Sequence, residues 1–474
     1  MKSKFLMLFM AAILCFSNLC PAFAAENNSH SASKSADEKI SASDKEEEKN
    51  IPTDKSKAKD TLTLSAASAI LIDAKTGSIL YEKDAYSKQY PASITKLMTI
   101  LLALEKGSLD DKITFSHDAV FNIEIGSAHI GIQEGETLTL EQVLYGIMLR
   151  SANECANAAA EYVDGSLEKF AKHMTKYAKE LGCKNTNFVN ANGLFDENHY
   201  TTAYDMALIA KKLLENKTYR SMMSETYYLI PPTEKQKEER YLHGQHQMLN
   251  TNSLYYYEGA TGGKTGYTTE ARNTLVTYAE KDGTELIAVV FQCEGAEHYV
   301  DTKTLFDYGF TNFKTVKALS AKDIHEKIDV TETYKDKTSI KDTIPLGLQK
   351  DVYATIPIAA EISQIKTDIS HEKTASVPVK KGDALGTLTL SLDGKVLDTV
   401  KLIAEKGVAA TTDAERAAQA KAATKKTLQY IGIIASCVLL VFFVIFGICR
   451  YIGYRNWKKR HAGKKYNRKR KTRL

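Results

Sequence analysis

Three short runs hold side chains whose types and spacing could share one reaction. In PASITKLMT, Pro91 to Thr99, Ser93 stands three residues before Lys96, and on a helix that spacing puts both on one face. The surrounding residues Ile94, Leu97, Met98, Leu101 and Leu102 are apolar, so the lysine charge is costly to keep there. A lysine that loses its proton could take the proton of the Ser93 hydroxyl and turn it into a nucleophile. Backbone donors in the first helical turn would face the charge that then develops. The same pair also reads as a surface serine beside a lysine that snorkels to water, because Ser-x-x-Lys recurs by chance.

The second run, RSANECANA, brings Ser151 and Asn153 after an apolar VLYGIML. A hydroxyl and an amide two residues apart suit a turn or a helix entry facing a cleft, and they equally suit a plain helix cap. The third, GGKTGYT, has Lys264, Thr265 and Gly266 entering a strand. Glycine there permits close approach of a ligand backbone, and Lys and Thr on one strand face can hold an anion. The ordered set S-x-x-K, S-x-N, K-T-G is far more specific than any member alone.

These residues need a scaffold, and the hydrophobic pattern supplies one. Pro91 starts and Gly107 stops a buried helix that carries Ser93 and Lys96. Before it, SAASAILIDAKTGSILYEKDAY reads as a hairpin turning at Asp73 to Gly77. A mostly helical block follows, with TLEQVLYGIMLRSANECANAAAEYV, SLEKFAKHMTKYAKELG and TAYDMALIAKKLLE. Strand signals return in GGKTGYT and in NTLVTYAEKDGTELIAVVFQC, whose Asp282-Gly283 turn joins two alternating runs, before a closing helix in TKTLFDYGFTNF. The expected catalytic domain, 61–315, is therefore α/β (α+β), its two ends sharing one antiparallel sheet beside a helical subdomain. A small all-β domain is expected over 319–406, with a turn at Asp393-Gly394, and an Ala-rich helical stalk over 407–427.

With 474 residues, 43% of them hydrophobic and 26% charged, the chain holds more than one folded unit. Its net charge of +5 is concentrated from Arg450 to Leu474. The remainder is net acidic, which argues against nucleic acid as a partner. Residues 1–24 read as a secretory signal peptide ending in Ala22-Phe23-Ala24, and the Ser-, Lys- and Glu-rich stretch 25–60 as a disordered tether. The uncharged run 428–449 is long enough to cross a bilayer. The basic segment 450–474 behind it is then a cytoplasmic tail in contact with anionic lipid, and the catalytic domain lies outside the cell membrane.

The region from about Leu62 to Phe313 resembles the low-molecular-mass penicillin-binding proteins that are D-alanyl-D-alanine carboxypeptidases, serine peptidase family S11. Beyond the three motifs, NANGLFDENHYTTAYDMALIA and GGKTGYTTEA match, and the β-rich unit is similar to that family's second domain. The resemblance implies a penicillin-binding/β-lactamase-like transpeptidase fold. It implies acylation of Ser93, Lys96 as general base, and Ser151 and Asn153 as proton-relay and substrate-amide partners. Lys264 and Thr265, with Gly266 and Tyr267, would bind the substrate, its terminal carboxylate on the Lys-Thr pair. The backbone N–H groups of Ser93 and Tyr267 would form the oxyanion hole. Peptidoglycan stem pentapeptides are the implied substrates, β-lactams the covalent inhibitors, and no metal or organic cofactor is required.

Two features depart from that family. A basic residue somewhat before Lys-Thr-Gly helps bind the carboxylate there, whereas no Lys or Arg lies between His246 and Lys264, and Arg272 is the candidate substitute. Many relatives attach by an amphipathic helix lying on the membrane, whereas this sequence carries a full spanning segment. Alternatives from the same motifs are a β-lactamase, for which no dedicated deacylating glutamate is evident, and a β-lactam or muropeptide sensor that is acylated without turnover.

Other reactive side chains have plainer readings. Cys155, Cys183 and Cys293 are the cysteines outside the signal and membrane segments, enough for one bridge at most. Cys155 reads as a small buried hydrophobe. His243 and His246 lack a third ligand for zinc and read as solvated loop histidines.

Overall fold

The structure, a computed structural model, describes residues 62–470. The expected signal peptide, 1–24, and tether, 25–60, lie outside the described residues, as do the last four residues of the tail. Strands β1 (Ser68–Asp73) and β2 (Ile79–Lys83) form the first hairpin. Within its turn the Asp73 carboxylate accepts from the N–H groups of Lys75 and Thr76, each at 2.8 Å. A 3-10 turn, Ala92–Thr95, then runs into α1 (Lys96–Lys106). The helical block follows as β3 (Lys112–Thr114), α2 (His117–Phe121), β4 (Thr137–Thr139), α3 (Leu140–Arg150), α4 (Asn153–Asp164), α5 (Leu167–Glu180), α6 (Ala203–Leu214) and α7 (Lys217–Met222). A hairpin the sequence pattern did not reveal, β5 (Tyr227–Ile230) with β6 (Arg240–His243), separates it from β7 (Ala260–Thr268), β8 (Arg272–Lys281), β9 (Thr284–Cys293) and α8 (Glu297–Asn312).

The main sheet has the order β2-β1-β9-β8-β7, with every neighbouring pair antiparallel. N-terminal and C-terminal segments thus share it, and β7 is left as an edge. Alternation along β9 sends Ile287, Val289 and Phe291 into the helical block and Leu286, Ala288 and Val290 toward Leu305 and Phe306 of α8. Both faces are covered, so β9 reads as a near-continuous apolar run. The β8–β9 turn has Asp282 at φ +51° and Gly283 at φ +77°, the left-handed pair that matches the twist of a two-residue hairpin.

One break in the helical block sets up the site. α3 begins with a reciprocal cap between Thr139 and Gln142 and ends at Ser151, which is left-handed at φ +56°. Two residues later α4 starts at Asn153 in a new direction. Ser-Ala-Asn is therefore a helix–helix corner, and its polar side chains sit at the bend.

The second module begins at Phe313, directly after α8, rather than at 319. Its strands are β10 (Phe313–Leu319), β11 (Lys327–Tyr334), β12 (Lys337–Gly347), β13 (Val352–Pro357), β14 (Lys366–His371), β15 (Thr374–Ser376), β16 (Ala384–Leu392) and β17 (Lys395–Ala404). β10 pairs with β13, and the other six form one sheet around Ile328, Val330, Ile344, Leu346, Leu388 and Leu402. The module grips the β1–β2 turn. Thr315 donates to the Asp73 carboxylate, the Thr76 and Thr355 hydroxyls meet at 2.6 Å, and the Lys75 ammonium sits 3.4 Å from the Tyr353 ring centre.

The final helix, α9 (Asp413–Arg470), has 58 residues and takes in the expected stalk from residue 413 on, the apolar run and most of the basic tail; residues 407–412 of the expected stalk are not helical. It is about 87 Å long, and among the described residues it is the one helix long and apolar enough to cross a membrane. Its start is held by Glu332, whose carboxylate accepts from Thr411, Arg416 and Lys341. Those donors pull the Glu332 carboxyl down to about 2.

Candidate active site

Lys96 is fully buried, and its Nζ has three partners: Ser93 Oγ at 2.8 Å, Asn153 Oδ1 at 2.8 Å and the Asn192 carbonyl at 2.5 Å. Two of these only accept, while the serine hydroxyl has a proton to give. A neutral amine, with two N–H bonds and one lone pair, satisfies all three: it donates to Asn153 and Asn192 and accepts from Ser93. The electrostatics agree. Burial first, then the positive charge of Lys264, push Lys96 well below the ordinary lysine value against the weaker pull of Glu154 and Cys155.

The turn that presents Ser93 is tightly fixed. Ala92, just before it, is left-handed at φ +50°, a conformation that costs a non-glycine residue about 1 kcal/mol or more and persists only where neighbours impose it. Gly193 supplies part of that constraint, since a β-carbon there would stand 1.9 Å from the Ala92 carbonyl oxygen. On the other side Thr274 of β8 donates to the Pro91 carbonyl at 2.9 Å. β7 lies against the same turn: a β-carbon on Gly266 would be 2.9 Å from the Ser93 amide nitrogen and 3.1 Å from that of Ile94. The glycine of Lys-Thr-Gly is thus required by close approach, as expected, although the backbone that approaches is the chain's own.

Lys264 is 2% exposed and donates to Ser151 Oγ at 3.0 Å and to the Thr265 carbonyl at 2.7 Å. Burial lowers it to about 7. Alternation along β7 puts Lys264 and Gly266 on its buried face and Thr265 and Tyr267 on the other. Lys264 and Thr265 therefore do not share a strand face, which corrects the expectation from the sequence.

A cleft of about 450 Å³ opens over Ser93 and Asn153. Its walls are the loop Glu124 to Ala128, the segment Gly193 to Phe195, and the end of β7 from Tyr267 to Glu270. The loop is strapped down from behind: Asn153 N–H donates to the Ala128 carbonyl at 2.8 Å, and Ile130 N–H donates to the buried Glu154 carboxylate at 2.7 Å. Arg240, paired with buried Glu136 at 2.8 Å, reaches the Gly131 carbonyl at 3.1 Å.

The profile of the peptidase S11 family, D-alanyl-D-alanine carboxypeptidase, matches residues 53–295. The chain is 35% identical over 370 residues to the D-alanyl-D-alanine carboxypeptidase DacF of Bacillus subtilis (strain 168), covering 76% of this chain and 89% of that one. The chain belongs to the S11 family. Similarity also extends to the D-alanyl-D-alanine carboxypeptidase DacA of Escherichia coli (strain K12), 31% identical over 357 residues, with 72% and 83% of the two chains covered. Penicillin-binding protein 5 from Haemophilus influenzae superposes with a TM-score of 0.62 at 28% identity, over 74% of this chain and 99% of that one. The profile of the penicillin-binding protein 5 C-terminal domain matches residues 313–410, beginning where β10 begins.

The S11 motifs meet around one point. Ser93, Lys96 and Asn153 touch directly, and Ser151 touches Lys264. Gly266 lies against Ser93, and Tyr267 lines the cleft while Thr265 does not. Arg272 does not supply the missing cation. It is half-exposed at the start of β8, left-handed at φ +53°, 3.5 Å from Glu294, and absent from the cleft lining.

His246 is no solvated loop residue. Its ring packs against Gly263 beside Lys264, Nε2 lies 3.1 Å from Thr277 Oγ1, and burial pushes it down to about 3. His243, at the end of β6, is exposed and faces Tyr227. Cys155, Cys183 and Cys293 are all free and buried, and burial drives the Cys155 thiol well above its usual range.

Motif reasoning missed the Asn192 carbonyl, because a backbone acceptor leaves no side-chain signature. Its signal was the turn sequence Asn190-Ala-Asn-Gly193, which matched the family without suggesting a role.

Proposed function

We propose that this chain is a serine D-alanyl-D-alanine carboxypeptidase that removes the terminal D-alanine from peptidoglycan stem pentapeptides through an acyl-enzyme on Ser93. The observation that carries this reading is the partner set of Lys96, which fits a neutral amine with its lone pair on the Ser93 hydroxyl.

The substrate peptide adds along the free edge of β7, as extended peptides do on sheet edges. Its terminal carboxylate is drawn by the charge of Lys264, without Thr265, which faces the other side of β7 and does not line the cleft, and Asn153 presents its amide NH2 to the substrate backbone. Ser93 Oγ attacks the carbonyl carbon of the penultimate D-alanine while its proton passes to Lys96 Nζ. The resulting ammonium keeps two charge-assisted bonds, to Asn153 Oδ1 and the Asn192 carbonyl. The N–H groups of Ser93 and Tyr267 stabilise the oxyanion, in a frame that the Gly266 approach holds rigid. Collapse breaks the peptide bond. The departing amine takes the proton that Lys96 had gained, relayed through Ser151, which Lys264 supports at 3.0 Å. Lys96, neutral again, then takes a proton from the water that attacks the ester and returns it to Ser93 Oγ as the ester C–O bond breaks, freeing Ser93 and the shortened peptide. A β-lactam carbonyl enters the same sequence, and its acyl-enzyme blocks the site.

α9 anchors the enzyme as a single-pass membrane protein, with the catalytic domain outside the cell and the Lys/Arg-rich end on the cytoplasmic side against anionic lipid.

The test is D-alanine release from a synthetic peptide ending in D-Ala-D-Ala, together with covalent labelling by a fluorescent penicillin. Wild type is expected to do both, and Ser93→Ala neither, while keeping the wild-type melting temperature. Labelling that survives in Ser93→Ala removes Ser93 as the nucleophile.

A further inference from the structure

His199 is 2% exposed and takes no part in lining the cleft. Its backbone is pinned on both sides. Neighbouring Tyr200 exchanges two hydrogen bonds with Asn187, at 2.9 and 3.0 Å, and Thr201 bridges to Gln89. The ring stands edge-on to Phe188 at 5.5 Å.

Its two nitrogens have distinct partners. Val189 N–H donates to Nδ1 at 3.1 Å, so the proton of the neutral ring is on Nε2, which donates to Thr95 Oγ1 at 2.8 Å. An imidazolium would set an N–H against the Val189 N–H, so this arrangement accepts only the neutral ring. Burial points the same way, lowering His199 to about 3 against the opposing charge of Asp196.

Thr95 immediately precedes Lys96, and Val189 precedes the turn that ends at Gly193. Three bonds run side by side between these two stretches: His199 to Thr95, Lys96 to the Asn192 carbonyl, and Thr99 to the Ala191 carbonyl at 2.6 Å. Positions 95, 96 and 99 share one face of the helix entry. The middle bond belongs to the base, and the outer two hold its acceptor in register. The Asn192 side chain adds a fixed point, donating to Asn157 Oδ1 at 3.0 Å.

We propose that His199 is a positioning residue for Lys96, its imidazole bridging the Ser93–Lys96 turn to the segment whose carbonyl fixes the direction of the lysine amine. The proposal rests on Lys96 being the base of the carboxypeptidase reaction. If the Asn192 carbonyl drifts, one amine N–H loses its acceptor, the amine can rotate, and its lone pair no longer points at Ser93 Oγ. Binding of the acylating molecule is untouched, because neither His199 nor Thr95 reaches the cleft. The cost falls on the acylation step, where a small misplacement of reacting groups is worth up to about 10²-fold.

The experiment measures the acylation rate constant and the dissociation constant separately for a fluorescent β-lactam, using the full-length protein in detergent. Three variants are compared: His199→Leu, Thr95→Val and His199→Gln. Glutamine keeps one acceptor and one donor on the same side chain. Thr95→Val removes the link from the other end at nearly constant shape, so the test does not depend on His199→Leu folding. The expected result is a loss of about tenfold or more in the acylation constant of Thr95→Val, and of His199→Leu where it folds. The dissociation constant should stay within about twofold, and His199→Gln should recover most of the rate. Wild-type acylation constants in Thr95→Val, or a loss confined to the dissociation constant, overturn the positioning role. Absence of acylation in wild type would overturn the reading of the site itself, and the two failures are thereby distinct.

Discussion

Gly266 and Ser93 come from strands and turns far apart in sequence, yet a β-carbon on Gly266 would lie 2.9 Å from the Ser93 amide nitrogen and 2.4 Å from Thr274 Oγ1. The close approach brings the end of β7 against the Ser93 turn, and on the proposed mechanism it sets the N–H groups of Ser93 and Tyr267 toward one oxygen. A single methyl group is enough to part them. Gly266→Ala is expected to lower β-lactam acylation by about 10²-fold, the usual cost of losing one oxyanion donor. Near-normal acylation in that variant would show that the contact does not set the oxyanion frame.

Titration of the two buried lysines should shape the pH dependence of turnover. The proposed mechanism needs Lys96 neutral and Lys264 charged, and Lys264 is lowered to about 7 by burial. For D-Ala-D-Ala peptides, kcat/KM should therefore fall as pH rises past about 7, as Lys264 loses the charge that holds the carboxylate. Lys264→Arg stays charged, so its profile should lose that descending limb whatever its absolute rate. A wild-type profile flat to pH 9 would contradict the role given to Lys264.

Two buried histidines make stability fall with acid. His199 and His246 are both lowered to about 3, while an unfolded histidine titrates near 6.5. Between those values the unfolded chain binds more protons, so stability is complete above about pH 6.5 and declines as pH falls toward 3. His199→Gln should have a shallower decline of melting temperature between pH 6.5 and 4 than wild type. An identical slope would mean that the ring is not held neutral.

Much of the site was legible because its chemistry is concentrated in short local motifs. Ser93 and Lys96 are one helical turn apart, so their pairing follows from helix geometry, whereas the motifs place Ser151 and Asn153 at one corner and only packing brings them to Lys264 and Lys96. The main sheet was legible too: Asp73 to Gly77 and Asp282-Gly283 mark tight turns, and the apolar run of β9 marks a strand covered on both faces. What stayed hidden depends on distant backbone. The Asn192 carbonyl, the His199 bridge and the placement of His246 against Gly263 arise only when loops pack. The β5–β6 hairpin was lost for a different reason: Tyr227, Leu229 and Tyr241 leave apolar side chains on its outer face, which blurs the alternation. Arg272 has the right charge close to Lys-Thr-Gly in sequence, but its side chain lies 3.5 Å from Glu294 and does not line the cleft.

The proposed orientation in the membrane rests on charge. The Lys/Arg-rich end of α9 should stay inside the cell while the stalk before Leu428 is outside. Protease added to intact cells should release the catalytic domain by cutting before the apolar run and leave an epitope placed after Arg450 intact. Loss of that epitope under the same conditions would reverse the orientation.

If Lys96 acts as a neutral base toward Ser93, Lys96→Arg should abolish that role. Guanidinium remains protonated at any working pH and cannot accept the serine proton. The measurement is the second-order rate constant for β-lactam acylation between pH 5 and 10, for wild type and Lys96→Arg, with melting temperatures taken alongside. Loss of acylation comparable to Ser93→Ala, at every pH and in a folded protein, is the predicted result. Acylation of folded Lys96→Arg at close to the wild-type rate would contradict it.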